Sequence, residues 1–372
     1  MERIPEMLPF PDVVNMVKVT RKIKKTDYLS YSPGRIAVID QGEGLVGGYT
    51  DDHASLVPAN DPVIVFGDHT CRFKYVDFPF AAGADGTQIF KARDGFLTKY
   101  IYYACLVAGV DLHGYQRHFK HLKASLLPVF ELEVQRSIAH VLYTYDELIE
   151  NNTRRIEILE EMARRLYEEW FVQFRFPGHE RVEFGEGEFG LAPKSWSPAT
   201  VKNLVVRVKG GKAYKSEELQ GDGSIIVVDQ SRAEYLGFHD NEPSYLASPK
   251  TPAIIFGDHT CKMQVMVTPF SVGPNTVVFA GQKGHSPYYI YSLVQGLVST
   301  AEYKRHWSDL TGKIVLEAPA ALSTRYGEMV SPMFGEIELL RRKNRNLRAQ
   351  RDLLLPKLIS GEIDVSEIPM PT

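Results

Sequence analysis

The chain has 372 residues, of which 44% are hydrophobic and 24% are charged, and its formal net charge is -3. These are ordinary globular proportions, which exclude a disordered or fibrous protein, and the length predicts two or three domains. The charge balance argues against a protein that coats nucleic acid by bulk positive charge. Three cysteines and the lack of a long apolar run predict a cytoplasmic location, no disulfide framework and no membrane span.

One stretch of the sequence occurs twice. Residues 62–70 read PVIVFGDHT before Cys71, and residues 252–260 read PAIIFGDHT before Cys261, an offset of 190 residues. Upstream, VIDQ at 38–41 matches VVDQ at 227–230. Further upstream, Val17-Lys18-Val19 matches Val206-Arg207-Val208. The period is too long for a solenoid and occurs only twice, so we predict two copies of one domain.

Each copy contains short segments rich in β-branched residues, which are typical of buried strands. These segments are 36–39, 63–66, 225–228 and 254–256. Apolar spacing predicts short helices over 100–108 and 288–298. Each copy is therefore predicted to be a small α+β domain. The first copy has no clear match to Trp196 and its surroundings in the second.

A long helical pattern follows each copy. Apolar residues step by three and four from 134 to 170, with one slip near Asn152, and again from 337 to 358. Pro177 ends the first pattern, Pro332 opens the second, and Pro356 is expected to kink its last turn. Because the second helix has to return the chain, we predict an antiparallel coiled coil. Two amphipathic helices that pack on separate domains are the alternative.

The charges of the two helical patterns favour their pairing with each other. Seven acidic and four basic residues lie between 147 and 170, whereas three acidic and seven basic residues lie between 336 and 358. Opposite net charges attract the two helices and disfavour self-pairing of either one.

The sequence lacks the common signatures of catalysis. It has no Asn/Asp-Pro-Pro-Tyr/Phe methyltransferase motif, no GxxxxGK[ST] phosphate loop, and no GxSxG, HExxH or CxxC. Asp68, His69 and Cys71, with their counterparts in the second copy, are possible metal ligands, but zinc needs further partners. A structural corner and a polar loop that contacts DNA are the other interpretations of the repeated GDHTC string.

Basic residues cluster at the start of each copy and end in loops that carry Tyr28 and Tyr214. Basic loops with an aromatic residue are suited to phosphate or groove contacts, and a solvated strand edge is the alternative. Two Arg-His pairs, 117–118 and 305–306, also recur before an aromatic residue. They indicate either a packed helix or a phosphate contact.

These strings resemble the specificity subunits of type I restriction–modification enzymes, and the resemblance covers residues 17–363. It is carried by VIDQ at 38–41, by the two FGDHT strings, by NTRRIEILEEMARRLYEEWFVQF at 152–174 and by RDLLLPKLISGEI at 351–363. The resemblance implies an α+β fold with two target-recognition domains, at 1–126 and 177–329. Helical spacer regions at 127–176 and 330–372 would form the antiparallel coiled coil.

The resemblance also implies a function. Each recognition domain would read one half of a bipartite site in double-stranded DNA, while the helical pair sets the spacing and docks adenine-N6 methyltransferase subunits. A motor and nuclease subunit would join for restriction. The chain itself would be non-catalytic and bind no cofactor, whereas S-adenosylmethionine and ATP belong to the partner subunits. A coiled-coil scaffold and an unrecognised DNA-modifying enzyme are the competing hypotheses.

Two sets of site residues follow from this interpretation. The residues predicted to contact DNA are Lys18, Arg21, Lys22, Lys24, Lys25, Tyr28, His69, Arg72, Lys74, Arg207, Lys209, Lys212, Tyr214, Lys215, His259 and Lys262. The residues predicted to join the helices and dock partners are Leu148, Ile156, Leu159, Leu166, Trp170, Ile337, Leu340, Leu347 and Leu354. No metal site is expected.

Overall fold

The computed structural model describes residues 4–58, 61–84, 86–109, 118–300 and 305–365. The chain folds into two compact units: unit 1 comprises 1–149 and 345–372, and unit 2 comprises 150–344. Each long helix contributes to both units, so this division differs from the predicted one at 126, 176 and 329. The three predicted boundaries, and the four segments that they divide, stay a prediction.

The described residues of unit 1 form ten short strands. They are β1 (Glu6–Pro9), β2 (Val14–Met16), β3 (Ile36–Ile39), β4 (Gly48–Thr50), β5 (Leu56–Val57), β6 (Val63–Gly67), β7 (Phe73–Val76), β8 (Phe80–Ala82), β9 (Thr87–Ala92) and β10 (Leu126–Val129). One sheet has the order β2-β9-β6-β7 and is antiparallel. A second sheet has the order β4-β3-β8-β5, in which β3 and β8 are parallel. Strands β1 and β10 form a separate antiparallel pair.

Unit 2 repeats this arrangement. Its strands are β11 (Phe184–Gly187), β12 (Gly190–Pro193), β13 (Ser197–Thr200), β14 (Val205–Arg207), β15 (Ile225–Val228), β16 (Gly237–His239), β17 (Ala253–Gly257), β18 (Met263–Met266), β19 (Phe270–Val272), β20 (Thr276–Gly281) and β21 (Ile314–Glu317). The sheet β14-β20-β17-β18 matches the first sheet of unit 1, and β16-β15-β19 matches the second, again with one parallel pair. The predicted duplication is therefore present in the fold.

The helices lie against these sheets. They are α1 (Phe10–Val13), α2 (Thr98–Ala108), α3 (Phe119–Ala124), α4 (Leu132–Tyr167), α5 (Pro287–Val294), α6 (Trp307–Thr311) and α7 (Ala320–Ser360). A π-helical turn extends α4 over Glu168–Val172. The core of unit 1 joins Ile64 and Phe90 of its sheet to Tyr100 of α2. The core of unit 2 joins Phe256 and Phe279 to Tyr289 in the same way.

Within each unit a part of α4 packs beside a part of α7. In unit 2 the Tyr326 hydroxyl donates to the carbonyl oxygen of Ala163 at 3.1 Å, and the guanidinium of Arg341 pairs with Glu160 at 2.8 Å. Further along α7, the side-chain amide of Asn344 contacts that of Asn152 at 2.9 Å. Residue numbers fall on one helix as they rise on the other, so the predicted antiparallel direction is found in unit 2.

Most of the residues predicted for the helix seam lie at least partly inside. Ile337, Leu340 and Trp170 are buried, whereas Ile156, Leu159, Leu166, Leu347 and Leu354 are half-buried. Leu148 does not pack in the helix seam, because its side chain is 48% exposed and the next residue, Ile149, is buried instead. Its predicted role in docking a partner stays a prediction. This part of α4 also packs against α2, where the Tyr103 hydroxyl donates to Asp146 at 2.6 Å. A globular neighbour of this kind turns the buried face away from a strict heptad seam.

The ends of α7 differ from the prediction. The helix begins at Ala320, twelve residues before Pro332, and continues through Pro332 and Pro356 to Ser360. A proline inside a helix removes one backbone hydrogen bond and costs about 3 kcal/mol, so Pro332 in the sequence indicates the start of a helix. Tyr326 and Val330, both fully buried, anchor the additional turns.

Charge complementarity between the helices is partly realised. Arg351 of α7 pairs with Asp146 of α4 at 2.6 Å in unit 1, in the predicted sense of basic α7 against acidic α4. In unit 2 the pair Arg341–Glu160 has the same sense at 2.8 Å, whereas the pair Arg155–Glu336 has the opposite sense at 2.9 Å. Among the described ranges, every helix is too short or too polar to cross a membrane.

The buried Asn152–Asn344 contact yields a stability prediction. Asn344 is 3% exposed and its amide also donates to the hydroxyl of Thr153 at 3.2 Å. We expect Asn344→Leu to lower the free energy of unfolding by about 1–3 kcal/mol, because it leaves the amide of Asn152 unpaired between the helices. Asn152→Leu combined with Asn344→Leu should recover most of this loss. Chemical denaturation followed by circular dichroism measures both, and a double variant less stable than Asn344→Leu would contradict the prediction.

Candidate nucleic-acid interface

The repeated GDHTC string forms the same tight corner in both units. In unit 1 the amide of Cys71 donates to the carbonyl of Gly67 at 2.8 Å, and Cys261 donates to Gly257 at 2.9 Å in unit 2. Both cysteines have a left-handed backbone, with φ of 52° and 54°. Such a conformation is uncommon for a residue with a side chain, and the neighbouring bonds hold it in place.

The glutamine of the VIDQ and VVDQ strings clamps this corner. The side-chain oxygen of Gln41 accepts the amide of His69 at 3.2 Å, and its carbonyl accepts the Thr70 hydroxyl at 2.9 Å. In unit 2, Gln230 makes the same two bonds with His259 at 3.1 Å and Thr260 at 2.6 Å. The VIDQ or VVDQ string and the GDHTC string, which revealed the repeat, therefore contact each other in each unit.

The aspartate of each corner caps a short helix that lies far away in the sequence. Asp68 is 2% exposed and its carboxylate accepts the amide of Phe119, the first residue of α3, at 2.8 Å. Asp258 accepts the amide of Trp307, the first residue of α6, at 2.9 Å. These bonds favour the structural interpretation of the string. Across the described part of the chain, no group of three or more His, Cys, Asp or Glu is placed to hold a metal ion.

The basic residues at the start of each copy occupy the same place in the fold. The hydrogen bonds that this stretch of each unit makes to the neighbouring strand, however, align the two units differently from the sequence comparison. The amide of Val17 donates to Ile89 at 2.8 Å, and the amide that makes the same bond in unit 2 is that of Val208, to Val278 at 2.9 Å. Ile23 of unit 1 and Tyr214 of unit 2 then occupy equivalent positions, because the amide of Ile23 donates to β8 and the amide of Tyr214 donates to β19. The match of Val17-Lys18-Val19 with 206–208 is thus wrong by two residues.

In the corrected register, three basic positions coincide in the two units. Lys18 corresponds to Lys209, Arg21 to Lys212 and Lys24 to Lys215, and all six side chains are exposed. Lys24 and Lys215 each precede a single 3₁₀ turn, over Lys25–Asp27 and Ser216–Glu218. We call residues 18–25 and 209–216 the basic segments.

In each basic segment, the middle one of the three coinciding basic residues forms an ion pair with a carboxylate. Arg21 pairs with Asp52 at 2.5 Å while its side chain stays 63% exposed. Lys212 pairs with Glu218 and lies 5.0 Å from the centre of the Tyr214 ring. Bonding to the Glu218 carboxylate raises the pKa of Lys212, so this ammonium is charged at neutral pH.

Other predicted contact residues in this region have structural partners. The Lys22 ammonium donates to the carbonyl of Thr87 at 2.6 Å, and the Tyr28 hydroxyl donates to Asp40 at 3.2 Å. Tyr214 is 7% exposed and stacks on the His239 ring at 4.1 Å. Lys25 is exposed, and Arg207 lies over the Trp307 ring at 5.9 Å. Burial of Tyr214 removes its ring from any direct contact at the surface.

Lys74 and Lys262, which follow the two GDHTC corners, hold nearby loops by hydrogen bonds to main-chain carbonyls. Lys74 is 7% exposed, and its ammonium donates to the carbonyls of Gly44 at 2.5 Å and Leu45 at 3.3 Å. Lys262 donates to the carbonyl of Ala233 at 2.6 Å. Burial lowers the pKa of both ammonium groups, and Asp40 partly opposes this for Lys74. The structure therefore assigns Lys74 a structural role in place of the predicted surface contact.

The remaining candidates lie around the corners. His69 and His259 are half-buried, and Arg72 is 46% exposed with Glu43 at 3.6 Å. Arg305 is exposed and lies 3.9 Å from Asp258. Arg117, its predicted equivalent, lies outside the described residues. Asp40 lies in the repeated VIDQ string but is absent from the predicted site residues, although its carboxylate accepts both the Tyr28 hydroxyl and the amide of Gly42.

The fold places the chain with a known class of proteins. The crystal structure of a type I restriction–modification S subunit from M. genitalium superposes with a TM-score of 0.61 at 18% identity, over 96% of this chain and 97% of that one. The fold is therefore that of a type I specificity subunit.

Sequence comparison also finds similarity to type I specificity subunits. The chain is 26% identical over 312 residues to the type I restriction enzyme MjaIX specificity subunit of Methanocaldococcus jannaschii, covering 74% of this chain and 71% of that protein. It is 31% identical over 102 residues to the EcoR124I/EcoR124II specificity subunit of Escherichia coli, about a quarter of each. No family model matches the chain. The predicted resemblance to type I specificity subunits is confirmed.

The corner yields a test of its structural role. We expect Asp258→Ala to lower the free energy of unfolding by about 1 kcal/mol, because the first turn of α6 loses its cap. Asp258→Asn keeps an oxygen acceptor and should lose much less. Thermal unfolding with and without EDTA measures this. Stabilisation of the wild-type chain by added zinc, lost in both variants, would instead support a metal site.

Proposed function

We propose that this chain is the DNA-recognition subunit of a type I restriction–modification complex, in which each unit reads one half of a bipartite site in double-stranded DNA. The observation that carries the proposal is the coincidence of three exposed basic positions at the same backbone register of both units. Two copies of one fold that present cations at the same place are suited to two phosphate backbones of similar geometry.

The near-neutral charge of the chain is consistent with selective binding. A few lysines and arginines in each unit would fix the position of the protein on phosphates, while other side chains read base edges in the groove. Bulk positive charge would instead produce binding that ignores sequence. The predicted residues Lys18, Lys24, Lys209 and Lys215 are exposed and suited to this phosphate role.

We further propose that the chain is non-catalytic and works with partner subunits in the cytoplasm. Its sequence has no methyltransferase or nucleotide-binding motif, so S-adenosylmethionine and ATP would be bound by the methyltransferase and motor subunits. Adenine N6 lies inside the duplex, and the methyltransferase subunits would flip the base for reaction. The helices α4 and α7 would set the spacing of the half-sites and dock the methyltransferase subunits.

The basic segment of unit 2 yields a binding prediction. Lys212→Ala combined with Lys215→Ala should weaken binding to all duplex sequences alike and reduce the slope of log affinity against log salt by about 1–2, since each phosphate contact contributes about 0.9. Fluorescence anisotropy at several salt concentrations measures both quantities.

Lys250 and Lys313 are exposed lysines of the same unit outside the basic segment. Lys250→Ala combined with Lys313→Ala is the matched control, which changes the net charge equally and should leave affinity and slope near their wild-type values. An equal effect of both double variants would mean that only net charge matters and would contradict a local phosphate contact.

The function itself is tested by mapping N6-methyladenine in cells that express the chain with and without methyltransferase subunits. We expect methylation at one split motif that requires both proteins. Methylation by the chain alone would show catalysis, and a motif that does not depend on the chain would refute the proposal. Insertion of seven residues into both α4 and α7 should change the spacer of the motif or abolish methylation, and an unchanged spacer would contradict the role of the helices in spacing.

A further inference from the structure

One loop that occupies the same place in both units differs in charge between them. It follows the VIDQ string of unit 1 at residues 42–47 and the VVDQ string of unit 2 at residues 231–236. We call these the variable loops. Their sequences are GEGLVG and SRAEYL, so Glu43 in unit 1 stands where unit 2 has Arg232.

Both variable loops are anchored at their ends by the same backbone contacts. The carboxylate of Asp40 accepts the amide of Gly42 at 2.8 Å, and Asp229 accepts the amide of Ser231 at 3.0 Å. At the other end, Gly47 donates to Val38 at 2.8 Å and Leu236 donates to Val227 at 2.7 Å. The ends of each loop are therefore fixed on β3 or β15.

A lysine also holds the middle of each loop. Lys74 binds the carbonyl of Gly44, and Lys262 binds that of Ala233, which is the equivalent position. The residue just before this point is exposed in both loops, and the side chain of Glu43 is 89% exposed. Glu43 in unit 1 and Arg232 in unit 2 thus belong to loops whose backbone is held by hydrogen bonds, and their side chains lie at the surface. A residue that reads a base requires both properties.

In each unit, the aspartate that anchors the variable loop lies close to the end of the basic segment or to the residues just after it, with one glycine between them. A Cβ atom on Gly83 would lie 2.6 Å from both the Asp40 side chain and the Tyr28 hydroxyl. A Cβ atom on Gly273 would lie 2.9 Å from the side chains of Asp229 and Leu236 and 3.6 Å from the carbonyl of Tyr214. The aspartate that anchors the variable loop is therefore a neighbour of Tyr214, within the basic segment, in unit 2, and of Tyr28, just after the basic segment, in unit 1.

We infer that Arg232 and Glu43 determine the sequence specificity of the two half-sites. The guanidinium of Arg232 would donate two hydrogen bonds to O6 and N7 of a guanine in the half-site of unit 2. The carboxylate of Glu43 would accept from the N4 amino group of a cytosine in the half-site of unit 1. This inference rests on the proposed function and extends it to two bases.

The experiment selects duplexes from a library of random split sequences with the full chain and its methyltransferase subunits, and sequences the bound DNA. Glutamine pairs with adenine as arginine pairs with guanine, so Arg232→Gln should change the preferred base at one position of one half-site from guanine to adenine. We expect the discrimination in favour of guanine to fall roughly 10- to 100-fold. Glu43→Arg should change a cytosine to a guanine in the other half-site only.

Arg181 is an exposed arginine of unit 2 outside the loop, and Arg181→Gln is the matched control, which should keep the wild-type motif. A loss of affinity for all sequences without a change of preferred base would assign Arg232 to phosphate and overturn the inference. An unchanged motif in both loop variants, each with a wild-type thermal unfolding curve, would overturn it as well. Failure of the wild-type complex to select any split motif would instead refute the proposed function.

Discussion

The two bonds from Gln41, and their equivalents from Gln230, are the contacts on which the rest of each unit depends. They tie the strand that precedes the variable loop to the GDHTC corner. The same corner supplies the aspartate that begins α3 or α6, although these helices have only six and five residues. Helices this short are unstable alone in water, so they depend on the corner for their first turn.

The sequence predicted the parts of the fold that depend on local patterns. Runs of β-branched residues located β6 and β17, and the repeated strings located the duplication. It missed the register of the basic segments, because VKV and VRV look alike while the backbone ladder aligns Val17 with Val208. It placed the start of α7 at Pro332, since the long-range packing of Tyr326 and Val330 that outweighs a proline leaves no periodic signal.

Candidate site residues were predicted less well than strands, for a physical reason. A lysine in a sequence indicates a charge but not its partner. Lys74 and Lys24 look equivalent in the sequence, yet one donates to two loop carbonyls inside the protein and the other is exposed. Tyr214 likewise looks like a surface aromatic beside lysines, but its ring stacks on His239 in the interior. Only the tertiary contacts distinguish a lysine that holds a loop from a lysine that is exposed at the surface.

Four side chains hold the variable loops through hydrogen bonds that, apart from one to the Ser231 hydroxyl, reach main-chain atoms. Asp40, Asp229, Lys74 and Lys262 bind amides or carbonyls of the loop, which every amino acid except proline supplies. At the exposed positions 43 and 232, the identity of the side chain is thereby separated from the stability of the loop. Each unit can accept substitutions at these positions at little cost in folding, and the two loops can change independently of each other.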